Sequence, residues 1–207
     1  MKYLIYDLET TGLMQSDEAI QFGGVLTDEN LRIERAYNFY GYTQVPISQT
    51  AQDVHGISKT MLRKLSGGKT FEDCFYDASF QKEKDLTWVS FSTNGFDERM
   101  INQTLKHNGL SEYNFGSKLS YFGAEGFGIH HLDAYTCLRS RIFHGRNQRL
   151  SQIVATLPYT AEKVQAVFEN NFSNIAYNTA FHDALYDSFC LWLVLAHYKS
   201  RLGVDGL

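Results

Sequence analysis

Three β-favouring runs crowd the start of this chain, and they restrict the fold more than any other feature. KYLIY (2–6), AIQFGGVLT (19–27) and LRIERAYNFY (31–40) are rich in aliphatic, β-branched and aromatic residues. Asp28-Glu29-Asn30 between the second and third is turn chemistry, so those two runs are expected to form a hairpin. The pattern then changes. Residues 59–65 and 71–80 read as helices, with Thr70 as cap of the second and Asp73 as its capping-box partner. A strand is expected over 86–91 (LTWVSF), a helix over 97–107 (DERMINQTLKH) and a strand over 129–133. Helices are expected over 148–157 and 161–170, and a final one over 184–199. This order predicts an α/β fold: a central mixed five-stranded sheet flanked by helices, its antiparallel part supplied by the first hairpin. The stretch 109–128 is rich in Gly, Ser and Tyr without periodicity, and reads as a long surface loop that faces substrate.

At 207 residues the chain has the length of one well-buried domain, and residues 1–207 are read as a single unit. It is 43% hydrophobic and 20% charged, with 15 Phe, 13 Tyr and only two prolines, Pro46 and Pro158. That composition argues against disorder. The net charge of -4 lacks the basic excess by which proteins hold double-stranded DNA, so nucleic-acid contact is expected to be local and short. Cys74, Cys137 and Cys190 are odd in number and without C-x-x-C spacing. They read as reduced thiols in a cytoplasmic setting, with no disulfide framework and no zinc site. Neither the run before Asp7 nor Phe189–Ala196 is long enough for a signal peptide or a membrane span, so no membrane association is expected.

Asp7 and Glu9 stand two apart where the first strand ends, so both carboxylates point to one side. Two such groups repel unless a cation lies between them, and hard divalent cations such as Mg²⁺ prefer oxygen ligands. Thr10-Thr11-Gly12 then breaks the run and lets backbone approach a ligand. Taken alone, the pair reads more simply as solvated acids at a strand end. Asp97, following Asn94-Gly95-Phe96, reads alone as a helix N-cap or a first-turn acid favoured by the helix dipole. Asp183 is a natural cap for the last helix. Asp187 lies one turn in, ahead of the apolar run SFCLWLVL, and His182 just precedes it. A charge at the edge of so apolar a helix needs a partner, for which a metal ion is suited.

Together these motifs carry more than each does separately. YDLETTG (6–12), VHGIS (54–58), TFED (70–73), TNGFDERMI (93–101), LDAYTCL (132–138) and HDALYD (182–187) appear in that order, the acidic ones at element boundaries. In this the chain resembles the DnaQ-like exonucleases, the DEDDh branch of the ribonuclease H-like superfamily. GFDE (95–98) and HDA (182–184) are also similar to the exonuclease I catalytic domain, and VHGI to the proofreading subunits of polymerases. The resemblance implies a ribonuclease H-like fold and 3′→5′ hydrolysis of single-stranded DNA, releasing nucleoside 5′-monophosphates. It implies two divalent ions, Mg²⁺ or Mn²⁺, held by Asp7, Glu9, Asp97 and Asp187, with His182 as general base. Thr10 and Glu9 are implied to hold the terminal 3′-OH. Phe96 is read as a base-pocket wall or, equally, as core packing. His55 is read as ordering the loop beside the substrate.

Two further readings stay open. One is a 3′→5′ exoribonuclease, because the shared motifs do not separate DNA from RNA. The other is a proofreading or accessory subunit bound to a replication or processing partner. No polymerase motif or linker accompanies the domain, and SRLGVDGL (200–207) alone follows the last helix, so any such partner is expected to be non-covalent. A binding module that has lost its chemistry is disfavoured, because all five catalytic positions hold suitable residues. Arg139, Arg141, Arg146 and Arg149, interleaved with Tyr135 and Phe143, form the densest basic stretch. They read as a solvated face or as a phosphate grip.

Overall fold

The computed structural model describes residues 1–83, 85–91, 95–113, 130–172 and 182–202. Thr93 and Asn94 of the TNGFDERMI motif, Ile129, residues 114–128 of the expected substrate-facing loop and residues 203–207 of the final segment lie outside the described residues.

The described residues form a five-stranded sheet: β1 (Lys2–Thr10), β2 (Ala19–Thr27), β3 (Ile33–Tyr40), β4 (Leu86–Ser90) and β5 (His130–Asp133), ordered β3-β2-β1-β4-β5. β1 pairs antiparallel with β2, and β2 with β3, while β1, β4 and β5 run parallel. This is the mixed α/β sheet expected from the sequence. β1 lies in the middle, which explains its near-continuous apolar sequence. It runs past the expected end at residue 6, so Asp7 and Glu9 belong to the ladder. Asp7 stands opposite Gly23 and Glu9 opposite Gln21.

The helices are α1 (Gln49–His55), α2 (Lys59–Leu65), α3 (Phe71–Asp77), α4 (Phe96–His107), α5 (Ala134–Arg141), α6 (Leu150–Val154), α7 (Ala161–Phe172) and α8 (Ala184–Leu202). The capping box of Thr70 and Asp73 forms at the start of α3. That helix stops at Asp77, where Ala78 turns extended, and a 3₁₀ turn over Ser79–Lys82 replaces the expected last helical turn. The helix expected over 148–157 is only Leu150–Val154. Helices α1 and α5 were not anticipated. His55 is the only buried residue of α1, so its sequence lacks an apolar stripe. The fold of α5 depends on Asp133, whose carboxylate caps Tyr135 N–H at 2.9 Å.

Two cores sandwich the sheet. Leu4, Tyr6 and Leu8 of β1 face Phe22, Trp88, Phe71, Phe75 and the Met100, Ile101 and Leu105 side of α4. Tyr3 and Ile5 face Leu138 of α5, Ile153 of α6 and the Leu191, Val194 and Leu195 side of α8. By strand alternation Asp7 and Glu9 continue the row of Tyr3 and Ile5, on the α8 side. Cys74, Cys137 and Cys190 are free thiols. Among the described residues no helix is long and apolar enough to cross a membrane.

Candidate active site at the end of the parallel strands

The carboxyl ends of β1, β4 and β5 share one edge of the sheet, and two helices start there from opposite faces. Helix α8 comes from one face. Its seat is β2, where a Cβ on Gly23 would overlap the backbone of Ala184 and Leu185. Glycine therefore lets the first turn of α8 settle directly on the strand, beside the residue that pairs with Asp7. Ser188 Oγ donates to Gly23 O at 3.0 Å, and the wholly buried Gln21 donates through Nε2 to Asp183 Oδ2 at 3.1 Å. Asp183 Oδ1 accepts from Leu185 and Tyr186 N–H at 3.1 and 3.2 Å, the capping role its sequence position suggested. Gly23 and Gln21 were not singled out in the sequence. A glycine pair inside an apolar strand was the available signal.

Asp187 thereby meets Asp7 and Glu9: one carboxylate oxygen from each lies within 4.8 Å of the others. Asp187 Oδ2 accepts from His182 N–H at 3.1 Å, while its Oδ1 is buried with no hydrogen-bond partner among the described residues. His182 has φ 71°, a left-handed conformation uncommon outside glycine, and its side chain is exposed at the rim.

Helix α4 comes from the other face. Gly95, at φ 65°, caps it without a side-chain hydrogen bond, so Asp97 is a first-turn residue and not the N-cap. Asp97 is 3% exposed and is not within the tight Asp7–Glu9–Asp187 cluster, yet its charge acts on both Asp7 and Glu9. Beneath it, Glu98 Oε1 lies 2.5 Å from His131 Nδ1. His131 Nε2 is in turn 3.3 Å from both Tyr6 Oη and Ser90 Oγ.

The acids strain one another. Burial, then the charges of Asp187, Asp97 and Glu9, push the Asp7 carboxyl well above the usual carboxylate range. Burial, with Asp187, Asp183 and Asp97, pushes Glu9 up to about 9. Burial pushes Asp187 up to about 7, against the His182 N–H bond, and Asp183 adds to the rise. A divalent cation among these oxygens would remove the conflict, and the uncommitted Asp187 Oδ1 fits such a ligand set.

The residues expected at the substrate side are placed as follows. Thr10 is buried and its hydroxyl donates to Gly12 O at 2.8 Å. His55 accepts Ile57 N–H on Nδ1 at 3.0 Å, so its proton sits on Nε2, 3.2 Å from Thr10 O. Burial holds His55 below the usual imidazole range, against the Thr10 bond, with His182 adding to the fall. Phe96 packs part-buried on the α4-side core with the Arg99 guanidinium 5.2 Å from its ring centre.

A mixed sheet ordered β3-β2-β1-β4-β5 with acids gathered at the carboxyl ends of its parallel strands defines an α/β domain with a candidate metal centre. Residues 4–194 match the RNase T exonuclease family model, and the chain belongs to that family. No curated protein matches it. The zinc-bound complex of E. coli exonuclease I with single-stranded DNA is similar in fold, with 16% identity and a TM-score of 0.65. That match covers 97% of this chain and 40% of exonuclease I, so the chain spans well under half of that enzyme. A full-length 3′-exonuclease matches at 15% identity and a TM-score of 0.66, over 96% of this chain and 81% of the other. A 3′-exonuclease recognising the 3′ end of histone mRNA stem-loop matches at 15% identity and 0.64, over 95% and 63%.

Proposed function

We propose that the chain acts as one metal-dependent 3′→5′ exonuclease domain on single-stranded DNA, releasing nucleoside 5′-monophosphates. The meeting of Asp7, Glu9 and Asp187 carries this reading, because their buried negative charge needs a cation to be stable as a group. Asp7, Glu9, Asp97 and Asp187 would hold two divalent ions, Mg²⁺ or Mn²⁺. When bound, the ions supply polarisation of the phosphate and a more acidic attacking water. His182 takes that water's proton as oxygen attacks phosphorus and the bond to the 3′ oxygen breaks. The exposed rim position of His182, tied to Asp187 through its own N–H, suits it to reach the water. His55 fixes the Thr10 carbonyl, and Thr10 and Glu9 then receive the terminal 3′-OH. Phe96 offers a ring edge to the last base. The free thiols agree with a cytoplasmic setting.

A 5′-labelled oligonucleotide tests the direction: with Mg²⁺ or Mn²⁺ it shortens in single-nucleotide steps. Asp7→Ala and Asp187→Ala lower that rate by about 10³-fold or more, in keeping with loss of an electrostatic catalytic group, while the fold persists. Absence of metal-stimulated shortening of every 3′ end tried would sink the reading. An exoribonuclease is the second reading, favoured by the likeness to the histone-mRNA 3′-exonuclease. Matched DNA and RNA strands decide between them, and degradation of RNA alone overturns the DNA choice.

A further inference from the structure

The net charge hides an uneven distribution. The chain has 23 Asp+Glu in 207 residues, yet the 28 residues from Ala134 to Ala161 contain none. That stretch holds Arg139, Arg141, Arg146 and Arg149, and the end of α8 adds Arg201, making five of the chain's nine arginines. The structure brings Arg139, Arg141, Arg146 and Arg201 to one pole, and Arg149 follows three residues after Arg146. Arg141 Nη1 donates to Leu202 O at 2.7 Å, joining the ends of α5 and α8. The turn after α5 folds back on it: Gly145 N–H donates to Arg139 O at 2.8 Å and Arg139 Nε to Gly145 O at 3.1 Å. The Phe143 ring packs edge-on against Tyr198 of α8. All five arginines are exposed. Among the described residues, Arg139, Arg146, Arg149 and Arg201 form no salt bridge with a carboxylate. Lys199 does not belong to the group, because the Asn30 turn beside Asp28 engages it.

The pole is far from the carboxylates but in line with them. Both α5 and α8 start at the edge where Asp133 and Asp187 sit and run away from it on the same face of the sheet. At 1.5 Å per residue, Asp187 to Arg201 is about 21 Å along the helix. A stacked strand advances about 3.4 Å per nucleotide, so the span corresponds to about six nucleotides.

We infer that this arginine pole holds phosphates of the substrate strand upstream of the 3′ end being cut. The inference rests on the exonuclease reading and extends it to the strand's 5′ side. Guanidinium forks match phosphate oxygens in pairs, and a cluster of arginines without carboxylates is matched by a chain of repeated anions. A strand whose 3′ end lies at the acidic edge reaches the pole by following α5 and α8. Neutralising phosphates there displaces counterions and draws long strands in.

The test compares a 5-nucleotide and a 25-nucleotide strand of the same 3′ sequence, in DNA and RNA forms, as kcat/KM against salt. The wild-type protein favours the long strand, and the preference fades as salt rises. R139S/R146S/R149S lowers kcat/KM on the long strand about tenfold and flattens its log–log salt slope by about 2, at about 0.7 per single-strand phosphate contact. Its rate on the short strand stays within about twofold. R139K/R146K/R149K, which keeps the charge, retains most of the length preference, and melting curves confirm that both variants fold. If the wild-type cuts both lengths with equal efficiency, the exonuclease reading stands and the pole is not a strand contact. The same conclusion follows if the serine variant loses activity equally on both lengths, or loses only a protein partner. If the wild-type cuts neither length, the exonuclease reading and the inference fall together.

Discussion

Helices α4 and α8 deliver acids to the same edge from opposite faces, but they are seated in different ways. The seat of α8 is backbone on backbone: Gly23 lacks the atom that would push Ala184 away, and Gln21 and Ser188 add hydrogen bonds to the Asp183 carboxylate and the Gly23 carbonyl. The first turn of α4 is held by a polar side-chain pair, Glu98 with His131, over Tyr6 and Ser90, while Met100, Ile101 and Leu105 bury the rest of the helix. The first sets backbone against backbone, whereas the second sets side chain against side chain. The difference matches the geometry. Asp187 sits within 4.8 Å of Asp7 and Glu9, whereas Asp97 acts on them from outside that cluster.

Gly23→Ala should break the comparison most strongly. The added methyl meets backbone atoms, which cannot turn aside, so the first turn of α8 must lift from β2. Overpacking of this kind costs about 3 kcal/mol. A displacement of Asp187 by about 1 Å lowers activity on the order of 100-fold. Melting and steady-state hydrolysis measure the two effects. Wild-type activity in a folded G23A protein would show that α8 has the slack denied to it here.

This dependence shows what was legible in the sequence and what was not. Asp7, Glu9, Asp97, His182 and Asp187 stood out because chemistry requires those residue types in motif order. Strand Ala19–Thr27 and helix Lys59–Leu65 were read to the residue because their local patterns are strong. Gly23 and Gln21 gain their meaning only from register, being the partners of Asp7 and Glu9, and register is set by packing beyond any local window. The left-handed backbone of His182 was hidden likewise, since even histidine, enriched among non-glycine residues at positive φ, adopts it too rarely to be expected at a given position.

The next effect tests whether the α8 cluster is a cation site. Glu9, ordinarily at 4.5, is held at about 9, and Asp187, ordinarily at 3.8, at about 7. Both bind protons more tightly when folded than when unfolded. Their contribution is therefore fully present below the ordinary carboxylate range. It is lost as pH rises from about 4 to 7 for Asp187 and from about 4.5 to 9 for Glu9. Without metal, stability falls between pH 5 and pH 9 by on the order of a few kcal/mol, or a Tm lower by about 10 °C. Mg²⁺ or Mn²⁺ should restore more of it at pH 8 than at pH 5, because only ionised carboxylates attract the ion. A metal effect equal at both pH values would separate the carboxylate strain from cation binding.

Gln21→Ala addresses the polar half of the α8 seat. It removes the Nε2 donor from Asp183 Oδ2 in a buried position, and with it the bonds to Asn38 and Tyr40. The cap from Asp183 to Leu185 and Tyr186 remains, so the helix start persists. A loss of about 2 kcal/mol is expected in denaturant melts, with activity lowered less than in G23A. A larger activity loss than that of G23A would transfer control of Asp187 from the backbone contact to this hydrogen-bond network.

Glu98→Gln should have the smallest effect, and it sharpens the contrast from the α4 side. Glutamine has nearly the same shape, so the close packing against His131 Nδ1 survives loss of charge. What is lost is a first-turn anion beside the unsatisfied N–H groups of α4, worth about 1 kcal/mol. Removing negative charge next to Asp97 partly offsets it. Stability is therefore expected to stay within about 1 kcal/mol and activity within a few-fold, read from the same melts and rates. Glu98→Ala supplies the control, since it deletes the contact and leaves His131 buried without that partner, which costs about 2 kcal/mol. If E98Q proved as damaging as G23A, the α4 seat would be as unforgiving as that of α8, and charge would be what positions Asp97.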